Sequence, residues 1–125
     1  MPATRIVLFR DTAGKVPLLE WLDDLPRKAR AKCIARIGRL AQLGHELRRP
    51  EADLLRDGIY ELRVGLSGIH YRMLYFYYAR GVAVLSHGLK KRREVPPNEI
   101  DLAVRRKDQF QHAPATHTHE EVINE

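Results

Sequence analysis

The stretch from Ile59 to Leu89 reads IYELRVGLSGIHYRMLYFYYARGVAVLSHGL, and the fold follows from how it is divided. Three runs, Ile59 to Leu66, Ile69 to Tyr78 and Val82 to Leu89, are rich in β-branched and aromatic residues, which suit a pleated surface. Gly65 to Gly68 and Ala79 to Gly81 punctuate them as turns, so the stretch predicts a three-stranded antiparallel meander. Within the first strand, alternation places Tyr60, Leu62 and Val64 on one face and Glu61 and Arg63 on the other.

Upstream of the meander the period changes. Thr4 to Arg10 reads as a first strand and Asp11 to Lys15 as its turn. Pro17 suits the first turn of a short helix carrying Leu18, Leu19, Leu22 and Leu25 at helical spacing. Pro26 opens a longer helix with an apolar stripe of Cys33, Ile34, Ile37, Leu40 and Ala41, with Lys28, Lys32, Arg36 and Arg39 on its other faces. Gly44 ends it. His45 to Asp57, with Pro50 and mixed charges, reads as a connection containing at most a short helical turn. Downstream, Pro96 and Pro97 mark entry to a terminal helix running to about Phe110. The order of strand, two helices, three strands and helix predicts an α+β fold, an antiparallel sheet with the helices packed on one face and the other face open to a ligand.

With 125 residues the chain is expected to form one domain, residues 1–111, followed by a flexible tail at 112–125 that is poor in apolar side chains. No apolar run is long enough to span a bilayer and no secretory leader is evident, so the expected location is cytoplasmic. Cys33, the only cysteine, excludes an internal disulfide. The H-x-H of His117 and His119 lacks further metal ligands, the adjacent Asp23 and Asp24 diverge around a helix, and Gly65 and Gly68 lack a phosphate-loop signature. No metal and no cofactor are expected.

The net charge of +6 points to a polyanionic partner. Its distribution is more informative. Arg27 to Arg49 is strongly basic, Lys90 to Arg93 is an unbroken basic run, and from His112 onward the only formal charges are acidic. On the meander, Arg63, Arg72 and the Lys90/Lys91 pair are expected to converge in one patch. Such a patch suits cleavage of an RNA phosphodiester, in which the 2'-hydroxyl attacks phosphorus and fixed cations stabilise the charge gathering on the phosphoryl oxygens. Proton transfer needs a further group, either His87 or a lysine whose pKa is lowered by neighbouring cations. Against this stands the plainer reading of each residue alone: strand arginines and lysines are usually solvated, His87 is structural, and Tyr71, Tyr75, Tyr77 and Tyr78 pack the sheet.

Four segments taken together, LLRDGIYELR (Leu54 to Arg63), YRMLYF (Tyr71 to Phe76), VLSHGLKK (Val84 to Lys91) and PPNEIDLA (Pro96 to Ala103), resemble the HigB-like, phage-associated branch of the RelE/ParE toxins. The resemblance implies a type II toxin, an endoribonuclease that cuts messenger RNA, commonly on the ribosome. It also implies a separately encoded antitoxin of the helix-turn-helix class. Arg63, Arg72, Lys90 and Lys91 match the family's basic positions. Some relatives carry a tyrosine near the C-terminus, whereas this chain has none after Tyr78, which makes His87 the substitute for proton transfer. Two other functions compete with the nuclease: inhibition of DNA gyrase in the manner of ParE, and non-catalytic nucleic-acid binding. Convergence of the four cations favours the enzyme.

Overall fold

Two helical stripes and one doubly buried strand determine the layering. In the computed structural model, which describes residues 3–123, β1 (Arg5–Phe9) leads into α1 (Pro17–Asp23) and α2 (Arg27–Leu43), followed by a 3-10 turn (Gly44–Glu46). Then come β2 (Ala52–Arg56), β3 (Ile59–Leu66), β4 (Ile69–Tyr78), β5 (Val82–Lys91), α3 (Pro97–His112) and β6 (Thr118–His119). Among the described residues the six strands form one sheet in the order β2-β3-β4-β5-β1-β6. The pairs β2/β3, β3/β4 and β4/β5 are antiparallel, and β1 closes on β5 in parallel.

The expected α+β class and the β3–β5 meander are present. Both sheet faces are covered, however. Leu18, Leu22, Cys33, Ile37 and Leu40 from α1 and α2 bury Leu8, Leu62, Val64, Met73 and Leu85 on one face. On the opposite face Ile100, Ala103 and Phe110 of α3 bury Phe9, Leu74, Phe76 and Val84. The open face expected from sequence is thus closed along most of α3's length, because α3 carries its own apolar stripe. Residues Tyr71 to Phe76 of β4 are buried throughout, which explains why this strand reads as a near-continuous apolar run. Cys33 lies in the first core, where burial pushes its thiol up to about 11.

Two further expectations are corrected. The connection before the meander contains β2, whose pattern is masked because Leu54 points to solvent and the strand is held mainly by edge hydrogen bonding to β3. The segment after α3, read as a tail without packing, instead extends the sheet. Thr118 pairs with Phe9 and His119 with Leu8. The buried His117 ring stacks on Phe9 at 5.0 Å, and its Nδ1 donates to the Arg10 carbonyl at 2.7 Å. The apolar surface that composition did not reveal is the face of that imidazole. No helix among the described residues is long and apolar enough to cross a membrane.

Candidate functional site

On the α3 side of the sheet, strand pairing sets side chains in rows. Glu61, Leu74 and His87 form one row, Arg63, Arg72 and Leu89 the next, and Gly65, His70 and Lys91 the third. Glu61 is buried and shared by the two arginines: Arg63 Nε donates to Oε2 at 2.9 Å and Arg72 Nε to Oε1 at 3.1 Å. Asp53, on β2, accepts from Arg63 Nη2 at 3.3 Å. Arg72 Nη1 donates to the Tyr71 carbonyl at 2.9 Å. Among the described residues, Arg63 Nη1 and Arg72 Nη2 have no hydrogen bond. The glutamate therefore fixes both guanidiniums by their inner edges and leaves donors for an outside acceptor.

These groups open into a cleft of about 330 Å³ bounded by Asp53, Glu61, Arg63 and Lys91, with Val95 and Ile100 forming an apolar wall at the start of α3. Lys91 has its pKa lowered, first by burial and then by the nearby Arg72 and Arg63, against the opposing pull of Glu61. Burial also lowers the pKa of Arg72, which stays cationic because a guanidinium starts so high.

Of the residues singled out from sequence, Arg63, Arg72 and Lys91 are brought together, and Lys90 and His87 are not. The cause is a bulge on β5. Leu74 pairs with His87 and Tyr75 with Leu85, leaving Ser86 as the extra residue. Uninterrupted alternation from Val84 would send Lys90 to the arginines; the bulge sends Lys91 there instead. Lys90 lies on the α1/α2 side, its Nζ 5.8 Å from the centre of the Tyr71 ring. The same change of phase turns Gly88 toward α1, where a Cβ would come within 2.2 Å of the Trp21 indole.

His87 is 7% exposed and sits beneath α3. Its Nδ1 is 2.7 Å from Ser86 Oγ and its Nε2 is 3.0 Å from Glu99 Oε1. A neutral ring satisfies both contacts, accepting from the serine hydroxyl and donating to the carboxylate. Burial lowers its pKa, Arg106 acts in the same direction, and Glu99 opposes them. His87 thus belongs to a polar clasp between β5 and α3, outside the cleft. The Tyr71, Tyr75 and Tyr77 rings pack in or against the α1/α2-side core, as the plainer reading held.

The first basic stretch also has an internal role. Lys32 Nζ donates to the Gly65 carbonyl at 3.0 Å and Arg36 to the Arg63 carbonyl, capping the part of β3 that extends past β2. Arg39 holds Glu51 with bonds of 3.1 and 2.9 Å. Cations covering a strand edge block pairing with another chain. Sequence reasoning missed Glu61 as the organiser of the site, although its place on the face of Arg63 was the available signal; Asp53 and Val95 carried none.

Residues 20–108 match the family model described as phage-derived protein Gp49-like (DUF891). The match runs from the middle of α1 to most of the way along α3 and includes every residue of the cleft. No curated protein matches the chain. Since the model covers well over half of the sequence, the chain belongs to the phage-derived Gp49-like family, which falls within the RelE-like toxin superfamily.

Proposed function

We propose that the chain is the toxin of a type II toxin-antitoxin system, of the HigB-like branch, and that it cuts messenger RNA on the ribosome without a metal ion. The observation that carries this reading is the Arg63–Glu61–Arg72 arrangement beside Lys91, a preorganised set of donors facing a cleft. An RNA phosphate in the cleft would accept from the unused guanidinium N–H groups. As the 2'-oxygen bonds to phosphorus and the 5'-oxygen leaves, negative charge grows on the phosphoryl oxygens, where these donors act most strongly. The products are a 2',3'-cyclic phosphate and a 5'-hydroxyl.

Lys91 suits proton transfer better than His87. Its lowered pKa eases release and uptake of a proton, and it lies in the cleft, whereas both ring nitrogens of His87 are engaged under α3. Toxin-family membership implies an antitoxin, for which a helix-turn-helix protein is the proposed type. Charge relief alone gives such a partner little purchase on the cleft, because Glu61 already bridges Arg63 and Arg72 and Asp53 accepts from Arg63.

The test is incubation of the purified chain with RNA and with programmed ribosomes, the free RNA in EDTA. Cleavage with cyclic-phosphate ends supports the reading. Uncut RNA in both settings, together with SOS induction and intact transcripts in cells, would replace it with the gyrase-inhibitor alternative.

A further inference from the structure

Most cations of this chain are engaged by the protein itself. Lys32, Arg36 and Arg39 hold carbonyls or Glu51, Arg49 holds Asp53, Arg56 holds Asp57 and Asp101, and the cleft arginines share Glu61. At the end of the sheet formed by the β3–β4 turn and the last residues of β5, the situation differs. Lys90 and Arg92 are exposed and, among the described residues, make no ion pair. They border a groove of about 330 Å³ with Gly68, Ile69 and Lys91. Lys91 also bounds the cationic cleft, so the two spaces adjoin across a single side chain.

The groove combines two chemistries. Lys90 is placed over the Tyr71 ring, which Trp21 meets edge-on at 6.3 Å, so this ammonium is positioned rather than free to roam. Across from it Ile69 is 40% exposed, an apolar surface at the tip of a hairpin where Gly68, with φ of 79°, contributes no side chain. Cations beside an apolar platform match one nucleotide of a single strand, its phosphate on the charges and its base on the platform.

We infer that the groove of Gly68, Ile69, Lys90, Lys91 and Arg92 is a second nucleotide site, which holds the residue adjoining the scissile one in a single-stranded RNA. Lys90 then serves strand binding rather than the reaction. This rests on the endoribonuclease reading, and the test separates the two.

The probe is a labelled 12-nucleotide RNA with 2'-O-methyl groups throughout, which removes the attacking hydroxyl, titrated by anisotropy between 50 and 200 mM KCl. The Lys90→Ala/Arg92→Ala double variant should bind roughly tenfold more weakly at mid-range salt, with the slope of log affinity against log salt reduced by about 0.7, the share of one single-strand phosphate contact. Ile69→Ala should weaken binding with the slope unchanged, and Arg92→Lys should keep the slope of the parent. Melting curves matching the parent certify the fold. Parental affinity and slope in the double variant, while the parent binds and cuts RNA, would overturn the second site and leave the nuclease reading standing. A parent that neither binds nor cuts RNA would end both, and a preference for duplex DNA that the double variant abolishes would replace RNA with DNA as the occupant.

Discussion

Arg39 on α2 and Arg72 on β4 each hold a glutamate, but in different surroundings. Arg39 and Glu51 are 48% and 25% exposed in their side chains; Arg72 and Glu61 are 9% and 3%. Water competes for the first pair and screens it, so it contributes little and serves to cover a strand edge. The second pair has lost its hydration, and Glu61 must satisfy two guanidiniums at once. A buried, shared ion pair is a poor way to stabilise a fold and a good way to hold donors still, which is why Arg63 and Arg72, and not the arginines of α2, define the candidate site.

The comparison is tested most severely by removing each glutamate. Glu61→Ala leaves two guanidiniums without their shared acceptor and should cost about 3 kcal/mol or more in urea unfolding. Glu51→Ala should cost only a small fraction of that. Equal losses would mean that burial does not distinguish the two pairs.

A smaller effect is expected at the other end of the sheet. Truncation after His112 removes β6 and the His117 ring from Phe9, and should lower stability by roughly 2 kcal/mol, mostly through re-exposure of apolar surface. For a domain of this size that is a fall of several degrees in Tm. An unchanged Tm would restore the reading of residues 112–125 as an unpacked tail.

The smallest effect concerns His87. Its folded pKa lies below the ordinary value, so below about pH 6.5 the unfolded chain takes up a proton that the folded chain refuses. Stability should therefore fall as pH drops from about 6.5 toward 5, by at most about 1.4 kcal/mol per unit from this one group. The groups facing the ring are Ser86, Glu99 and Arg106; Glu51 and Asp53, whose pKa values are lowered, act only at more acidic pH. His87→Gln should flatten the pH dependence in this window. A slope identical to the parent's would show that the ring is not held neutral.

How far the sequence could be read follows from which interactions have a local signature. The meander was legible because β4 is buried on both faces and the glycine-containing turns are short. Alternation placed Arg63 on the face opposite Leu62 and Val64, meander pairing was expected to bring Arg72 to it, and the structure has the two on one face. Alternation failed at Ser86, where one extra residue exchanges the faces of Lys90 and Lys91; nothing in SHGLKK marks that bulge. β2 was hidden because its outer residues face water, and α3's side of the sheet because a helical stripe does not say which face it covers. Glu61 was visible as a neighbour of Arg63, but its sharing with Arg72 needed the register of β3 against β4.

If the cations gathered around Glu61 act on RNA whereas those on α2 hold the fold, the two sets must differ in their effect on cleavage. Cleavage rates at saturating RNA, measured side by side for Arg72→Ala and Arg39→Ala with both variants confirmed as folded, test it most directly. The expected result is a loss of about 10² to 10³ for Arg72→Ala, the scale of one missing transition-state donor, and a rate within a few-fold of the parent for Arg39→Ala. Comparable rates in the two variants would contradict it.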